Sequence, residues 1–595
     1  MGPKVRARDA RGTSLRLLKY LENRMGKLLI VVIMGLASSL ASLAGPYLLG
    51  MAIDTMKDGM GNVNFERLAI IAGIMVAFYG LSAFMTWLQS FIMADISQNT
   101  VKELRKDLFE KLQTLSVSFF DRYTHGELMS RLANDIENIS NTLMQSAMHM
   151  VTSLITVVGA FVMMMVLSPV LTIISLVPIP LGMFLTWKIS DKTRKLFVTQ
   201  QQELGMINGY IEETASGQRV VKAFSREEKS IKEFGDINVR LREAGIKAQI
   251  YSGIVPPLMN VLNQLSFALV ASAGGWIVIR GAITVGTIAS FINYSKHFSR
   301  PINDIANQFN MIQAALAGAE RVFEIMDETP EIKDAPGAIS IAAKDTKGEV
   351  VFDNVSFAYE KDVPVLKNIN LKAYPGQTIA LVGPTGAGKT TIVNLLMRFY
   401  DVDNGSILID GTDIRKIKTD DLRRTLGMVL QDTYLFLDTV RENIRYGKLD
   451  ATDEEVEEAA RLANAHYFIH RLPDGYDTMI TEGGSNLSQG QRQMITIARA
   501  ILADPAILIL DEATSSVDTM TEMKIQEAML TLMEGRTSFV IAHRLSTIRS
   551  ADEILVINNG EIVERGTHEK LLEKGGFYYN LYMSQFRDGA ETVQQ

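Results

Sequence analysis

Residues 142–187 carry no Asp, Glu, Lys or Arg, and this 46-residue run restricts the possible folds more than any other feature of the chain. Three similar uncharged runs cover residues 28–53, 68–94 and 250–279. A membrane-spanning helix needs about 20 apolar residues, so the longest run has room for two spans that turn near Pro169. These runs predict a membrane domain rather than the buried helices of a soluble protein.

A shorter uncharged stretch, residues 281–295, lies directly before Lys296. We read it as a sixth span that continues past Lys296 toward Pro301, within a membrane domain over residues 28–326. Residues 1–27 contain eight basic and two acidic side chains and suit an amphipathic segment at the membrane surface. The positive-inside rule places this segment in the cytoplasm, and six spans return the chain to the same side. The sequence therefore predicts a multi-pass protein of the cytoplasmic membrane.

The composition excludes several classes of chemistry. The 595-residue chain has no cysteine, which rules out disulfides, cysteine-ligated zinc, iron–sulfur clusters and thiol catalysis. Its formal net charge of −7 argues against nucleic acid as the principal partner.

The second half of the chain has a different character. Short β-branched segments such as 378–382 alternate with helical stretches, which predicts an α/β domain over residues 349–585. Residues 327–348 contain two prolines and scattered charges, as is typical of a linker, and the polar residues 586–595 form a tail. The predicted fold class is an α-helical six-span membrane domain followed by an α/β P-loop nucleotide-binding domain.

A glycine-rich motif follows the apolar segment 378–382 and precedes a helical stretch. It matches the pattern G-x-x-x-x-G-K-[ST], whose loop holds phosphates with backbone N–H groups. In such sites the lysine reaches the β- and γ-phosphates and the Ser/Thr hydroxyl, here that of Thr390, binds Mg²⁺. ATP and Mg²⁺ are therefore the predicted cofactors. The predicted ATP-binding residues of this loop are Gly383, Pro384, Thr385, Gly386, Ala387, Gly388, Lys389, Thr390 and Thr391.

Two acidic residues, Asp511 and Glu512, follow the apolar segment 506–510. Burying an unpaired carboxylate is costly, so these residues are not explained by packing in a hydrophobic core. Asp511 suits a Mg²⁺ site, and Glu512 suits the group that polarises the attacking water. Downstream of a phosphate loop, this pair predicts ATP hydrolysis.

Residues 486–493 read Asn-Leu-Ser-Gln-Gly-Gln-Arg-Gln and resemble the signature motif of ATP-binding-cassette (ABC) proteins. The first half is similar to the membrane domain of ABC exporters at residues 119–132, 216–224 and 321–324. The resemblance covers residues 15–585. It implies a half-transporter of the bacterial multidrug or lipid type, similar to the subunit of heterodimeric exporters that keeps the catalytic glutamate.

The resemblance also implies roles for single residues. Tyr359 stacks on adenine, Gln431 contacts Mg²⁺ and water, and His543 bonds to the γ-phosphate. The implied catalytic group is Glu512, His543 and Gln431, and the implied Mg²⁺ ligands are Thr390, Gln431 and Asp511. The signature residues implied to face the ATP of a partner subunit are Leu487, Ser488, Gln489, Gly490 and Gln491, and the loop after the glutamate contributes Ser515 and Asp518.

One cassette in this chain implies a second chain, because the family closes each ATP site between two cassettes arranged head to tail. The third place of the signature is usually glycine, and Gln489 occupies it here. An altered signature beside an intact Glu512 fits one subunit of a heterodimeric exporter. We therefore favour a heterodimer over a homodimer.

These features predict ATP-driven export of amphipathic drugs or lipids by alternating access. The uncharged spans disfavour an ion path, and their methionines, aromatics and amides suit varied ligands. Three alternatives stay open: uptake by the same fold, as in metallophore importers; a nucleotide-gated channel or regulator; and a peptide-processing exporter, for which residues 1–27 leave no room for a protease domain. The side chains considered for the substrate are Met163, Met164, Met165, Met259, Phe267, Trp276, Asn260, Asn263, Gln264 and Asn293.

Overall fold

The structure is a computed structural model that describes residues 8–56, 63–330, 334–430, 433–511, 518–542 and 545–590. The chain divides into two compact units. We call Met1–Leu115 with Tyr123–Thr329 the helical unit, and Ser116–Arg122 with Pro330–Gln595 the sheet unit.

Long helices dominate the first 330 residues. In chain order these helices are α1 (Ala10–Leu21), α2 (Met25–Asp54), α3 (Phe65–Gln113), α4 (Val117–Arg122), α5 (His125–Ser130), α6 (Ile136–Asn141), α7 (Ala147–Leu167), α8 (Pro169–Leu176), α9 (Pro178–Ser216), α10 (Gln218–Ala223), α11 (Glu227–Gly253), α12 (Val255–Ile279) and α13 (Val285–Asp327). Two π-helical segments, Arg131–Asp135 and Thr142–Ser146, continue the helical path between α5 and α7. Helix α4 belongs to the sheet unit.

Five helical stretches within the described residues are long and apolar enough to cross a membrane. They are Ala10–Asp54, Phe65–Gln113, His125–Leu167, Pro169–Ser216 and Glu227–Ile279. Helix α13 is not one of the five, so the sixth span stays a prediction. The turn near Pro169 lies between α7 and α8, where the Ser168 hydroxyl accepts a hydrogen bond from the N–H of Leu171 at 3.3 Å.

Helices α2 and α13 approach closely at Gly50 and Gly286. A Cβ atom on Gly286 would lie 2.0 Å from the carbonyl oxygen of Gly50. Beside this contact, the Asp54 carboxylate accepts hydrogen bonds from the N–H of Gly286 at 2.9 Å and the Thr284 hydroxyl at 2.6 Å. Glycines permit such close packing of membrane helices, so this contact positions α13 against α2.

Replacing Gly286 by valine tests this packing. We expect Gly286→Val to lower the free energy of unfolding by about 1–3 kcal/mol, because the added side chain forces the two helices apart. The matched control is Gly275→Val on α12, since a Cβ atom there meets no atom within 4 Å. Thermal unfolding of both variants in detergent checks the expectation, and equal unfolding temperatures contradict it.

The sheet unit holds ten strands within the described residues. The antiparallel sheet, in the order β2-β1-β4-β5, consists of β1 (Val350–Phe357), β2 (Leu366–Ala373), β4 (Asn404–Ile409) and β5 (Thr412–Asp413). The second sheet, in the order β10-β9-β3-β8-β7-β6, consists of β3 (Thr378–Val382), β6 (Leu426–Val429), β7 (Ile507–Asp511), β8 (Thr537–Ile541), β9 (Glu553–Asn558) and β10 (Glu561–Gly566). Strands β9, β3, β8, β7 and β6 run parallel to one another, whereas β10 pairs antiparallel with β9.

Ten helices accompany these strands in the described part of the sheet unit besides α4. They are α14 (Lys389–Leu396), α15 (Thr419–Thr425), α16 (Val440–Arg445), α17 (Asp453–Leu462), α18 (His466–Ile469), α19 (Gln489–Ala503), α20 (Thr519–Met533), α21 (Leu545–Ser550), α22 (His568–Lys574) and α23 (Phe577–Ala590).

The central strands are buried on both faces, because successive side chains of a strand point to opposite faces. On β3, Ile379 and Leu381 join one hydrophobic core, while Ala380 and Val382 join another. A parallel sheet with helices on its faces is the α/β arrangement, so the predicted fold class is confirmed: a helical membrane region precedes an α/β domain.

Candidate functional site

The candidate site lies at the carboxyl edge of three adjacent strands. Leu381 of β3 is level with Ile541 of β8, which is level with Asp511 of β7. The segments that follow these residues therefore leave the sheet at the same edge. Ligands of open α/β sheets bind at the carboxyl ends of the strands, so this edge is where the predicted ATP site belongs.

The predicted phosphate loop, residues 383–388, joins β3 to α14 at this edge. Gly386 and Gly388 have positive φ angles of 80° and 106°, which favour glycine. Gly383 lies close to the backbone of β9, because a Cβ atom there would be 2.2 Å from the carbonyl oxygen of Ile557. The tight backbone brings the loop round to the N-terminus of α14, where N–H groups attract anions.

Lys389, the first residue of α14, carries its amine inside this loop. Its Nζ atom donates hydrogen bonds to the carbonyl oxygens of Gly383 at 2.8 Å and Pro384 at 3.0 Å, and the residue is 8% exposed. Burial lowers the pKa of Lys389, and the nearby charge of Asp511 opposes this shift. The ammonium group of Lys389 donates only to neutral carbonyl oxygens and has one acidic residue nearby. Its positive charge can therefore bind further anionic oxygens, so the loop fits a polyphosphate.

The three threonines of the motif differ in exposure. Thr385 and Thr390 are exposed at the loop and at the start of α14, whereas Thr391 is buried. The exposed Thr390 hydroxyl is free to take the Mg²⁺ position that the motif predicts. Ala387 is buried in the core, and its N–H donates to the carbonyl oxygen of Pro384 at 3.2 Å.

Tyr359 belongs to an aromatic cluster with Phe357 and Tyr400. Its ring centroid lies 4.9 Å from that of Phe357 and 5.0 Å from that of Tyr400, both edge-on. The Tyr359 hydroxyl donates to Thr391 Oγ1 at 3.3 Å and accepts from Asn394 Nδ2 at 3.2 Å, which ties it to α14. Since 46% of Tyr359 remains exposed, one surface of the residue is open for a base beside the phosphate loop.

Removing the Tyr359 ring tests its proposed contact with adenine. We expect Tyr359→Ala to raise the dissociation constant of ATP about 10-fold, because stacking of a base on an aromatic ring contributes roughly 1–3 kcal/mol. Tyr359→Phe keeps the ring and should change the constant less than about threefold. The control is Tyr374→Ala, because Tyr374 is an exposed tyrosine directly after β2. Equal ATP affinity of all variants and the wild type contradicts the stacking role.

The signature residues lie at the start of α19. Ser488 is the N-cap: its hydroxyl accepts from the N–H of Gln491 at 3.3 Å, and Gln491 Oε1 accepts from the N–H of Ser488 at 2.9 Å. Leu487 and Gly490 are buried, Ser488 is exposed and Gln489 is half-buried as the first helical residue. The Ser488 hydroxyl and the open N–H groups thus lie at the end of a 15-residue helix that favours an anion.

Asp518 is the N-cap of α20, and its carboxylate accepts from the N–H of Thr521 at 3.0 Å. This hydrogen bond lowers the pKa of Asp518. Gln431, Glu512, Ser515 and His543 lie outside the described residues. The described residues next to three of them are Leu430 after β6, Asp511 on β7 and Ala542 after β8, all at the carboxyl ends of neighbouring strands.

Two contacts of Tyr400 near the site cannot be predicted from the sequence. Tyr400 reaches the aromatic cluster from the segment after α14, and its hydroxyl donates to the carboxylate of Asp121 in α4. Burial raises the pKa of Tyr400, and the hydrogen bond to Asp121 raises it further. Both residues belong to the sheet unit although their positions differ by 279, and no local pattern connects residues so far apart.

Comparisons with known proteins match both halves of the chain. The family model described as the ABC transporter transmembrane region matches residues 28–302, and the model described as ABC transporter matches residues 366–515. The ABC transporter ATP-binding protein YfiC of Bacillus subtilis is 49% identical over 98% of this chain and 96% of its own length.

Two further relatives have names that state a substrate. A fatty acid ABC transporter ATP-binding/permease protein of Mycobacterium bovis is 40% identical over 97% of both chains. An ATP-dependent lipid A-core flippase of Syntrophus aciditrophicus is 42% identical over 93% of this chain and 90% of its own.

Proposed function

Because the chain belongs to the ABC transporter family and is an ATP-hydrolysing, multi-pass membrane transporter, we propose that it exports amphipathic small molecules across the cytoplasmic membrane. The cargo class is drugs or lipids, and transport proceeds by alternating access. The observation that carries the proposal is the buried amine of Lys389 inside a phosphate loop, in one chain with five helices able to span a membrane.

In the proposed mechanism the ATP site works as a switch. Lys389 holds the β- and γ-phosphates, and Tyr359 orients the base. Glu512 polarises the attacking water, with His543 on the γ-phosphate. Mg²⁺, when bound, neutralises phosphate charge, and Thr390, Gln431 and Asp511 are the residues proposed to hold it. The Thr390 hydroxyl and the Asp511 carboxylate are hard oxygen ligands, which suit this ion.

The transporter works as a dimer, because a half-transporter carries one cassette. In the proposed dimer, Ser488 and Gly490 at the start of α19 meet the γ-phosphate held by the partner, and Ser515 and Asp518 lie beside it. Helix α19 supports this role, since it begins at the exposed N-cap Ser488 and its N-terminus favours an anion. Gln489 in the third signature position favours a heterodimer over a homodimer.

A lipid-like or drug-like cargo agrees with the names of two relatives, the fatty acid transporter and the lipid A-core flippase. Export rather than uptake is proposed because both membrane and cassette models match this chain in the arrangement of the exporter type. The eight basic residues before residue 28 support a cytoplasmic N-terminus and a cytoplasmic ATP-binding domain.

Transport into membrane vesicles tests the direction. In inverted vesicles, where the ATP-binding domain faces the medium, we expect added Mg²⁺-ATP to drive accumulation of a fluorescent fatty acid inside the vesicles. Right-side-out vesicles with internal ATP should lose the same molecule. Accumulation only in right-side-out vesicles would identify an importer. Conductance without stoichiometric ATP turnover would identify a channel. Either result contradicts the proposal.

A further inference from the structure

A cavity of about 620 Å³, lined by both polar and apolar side chains, lies between α12 and α13 in the helical unit. On α12 its lining residues lie on one side of the helix, at positions 256, 259, 260, 263, 264, 266, 267 and 270. On α13 the lining positions 292, 295, 296 and 299 have the same spacing of three and four residues. The cavity is therefore walled by one continuous stripe from each helix, and its volume suits a small ligand.

An adjoining face of α13 is packed into the helical unit. Phe291 and Tyr294 are fully buried in a cluster with Leu43 and Met164. The Tyr294 hydroxyl donates to the carbonyl oxygen of Leu43 at 2.5 Å. This packing fixes the rotation of α13, so the stripe that contains Lys296 stays turned toward the cavity.

Lys296 places a positive charge within the predicted sixth span. It is the twelfth residue of α13, so at 1.5 Å per residue it lies about 16 Å from the start of the helix. Among the residues that the structure describes, Lys296 forms no ion pair and no hydrogen bond. The next acid along α13 is Asp304, about 12 Å further along the helix.

Charged residues within a membrane span are costly and mark substrate or ion paths. The four uncharged runs of the other spans contain no carboxylate, and among the described residues none is paired with Lys296. An ion path for cations is disfavoured, because the cavity carries a positive charge. Lys296 would be neutralised by a negative charge on the cargo.

Three amides of α12 line the same cavity as Lys296. Asn260, Asn263 and Gln264 line the cavity, are exposed and make no hydrogen bond with other described residues. Their NH₂ groups add donors to the ammonium group of Lys296, and donors are what carboxylate or phosphate oxygens need. Met259, Phe267 and Ile292 supply apolar surface beside them, which suits a hydrocarbon tail.

We propose that this cavity binds the anionic headgroup of an amphiphile, a carboxylate or a phosphate monoester, with Lys296 as its counter-charge and Asn260, Asn263 and Gln264 as further donors. This inference rests on the proposed export of amphiphiles and narrows the cargo to anionic ones. It also explains why α13 is less apolar than the other spans, since its polar stripe faces the cavity rather than lipid.

The test compares amphiphiles with one hydrocarbon tail and different headgroups. The full chain is reconstituted in nanodiscs of phosphatidylcholine, which has no net charge. Oleyl phosphate, oleate, uncharged monoolein and cationic oleylamine then compete with a dansyl-labelled fatty acid, followed by fluorescence anisotropy. We expect each anionic compound to displace the probe at a concentration at least about 10-fold lower than monoolein or oleylamine. Oleyl phosphate and oleate separate a phosphate preference from a carboxylate preference.

Substitution of Lys296 identifies the group responsible. Lys296→Met should remove the anion preference, and Lys296→Arg should retain most of it because the charge is kept. Lys188→Met on α9, outside the cavity, removes a lysine without touching the site and should behave as the wild type. The arginine variant also separates loss of charge from loss of folding.

The outcomes distinguish this inference from the proposed export. A wild type that prefers no anion, or a Lys296→Met variant that keeps the preference, overturns the anionic headgroup site even when vesicles accumulate amphiphiles. Anion-selective binding that depends on Lys296, in a chain that moves no amphiphile in vesicles, supports the site and contradicts export.

Discussion

Glu512→Gln is expected to reduce Mg²⁺-dependent ATP turnover by about 10²–10⁴-fold, the usual contribution of a positioned general base. The residue before it, Asp511, ends β7 at the sheet edge that also carries the phosphate loop. The amide keeps the shape of the carboxylate but cannot accept a proton from water. ATP binding should therefore persist. Phosphate release and the ATP dissociation constant of the purified chain in lipid measure the two effects separately.

The control for this substitution is Glu534→Gln, at the exposed end of α20. Turnover that survives in Glu512→Gln would show that another group activates the water. The wild type alone is equally informative. Robust turnover indicates a homodimer with two working sites, and the argument from Gln489 then fails. If the folded chain binds ATP but does not hydrolyse it, an obligate partner subunit is indicated.

Lys389→Ala should weaken ATP binding by about 10–100-fold, because hydrogen bonds to charged groups contribute roughly 1.5–3 kcal/mol each. We expect turnover to fall by a further factor of about 10²–10³, since the lysine also stabilises charge on the transferred phosphate. The substitution removes both hydrogen bonds to the loop carbonyls of Gly383 and Pro384. ATP affinity and turnover are measured on the full chain in lipid.

Two further variants serve as comparisons for Lys389→Ala. Lys574→Ala removes an exposed lysine at the end of α22 and should match the wild type. Lys389→Arg keeps the charge, but a planar guanidinium is wider than an ammonium and fits the closed loop poorly, so we expect intermediate affinity. Lys389→Ala with wild-type ATP affinity would remove this residue from the phosphate site.

The sequence predicts best those features that depend on neighbouring residues. The phosphate loop is an example, because Gly386, Gly388 and Lys389 act within one turn of backbone. The turn at Ser168 is another, since a serine N-cap followed by proline specifies a helix start locally. The long uncharged runs likewise predict helices, and the structure has them over the same residues.

Features that join distant segments are not visible in the sequence. The hydrogen bond between Tyr400 and Asp121 depends on the fold, not on any local pattern. Helix α13 shows a second limit. Its polar residues at positions 295, 296 and 299 lower its hydropathy, so it is less apolar than the five helical stretches that could cross a membrane. It also continues through Pro301 to Asp327, because neighbouring groups in a packed helix can satisfy the bond that proline removes.

The discontinuity of the sheet unit has a consequence for how the protein is made. Residues Ser116–Arg122 belong to the same compact unit as Pro330–Gln595, yet Tyr123–Thr329 are translated between them. At about 5–20 residues per second, the ribosome needs roughly 10–40 s to cover that interval. Asp121 thus emerges long before Tyr400 exists to donate to it. The ATP-binding domain is completed only after most of the membrane helices have been synthesised, which couples its maturation to their insertion.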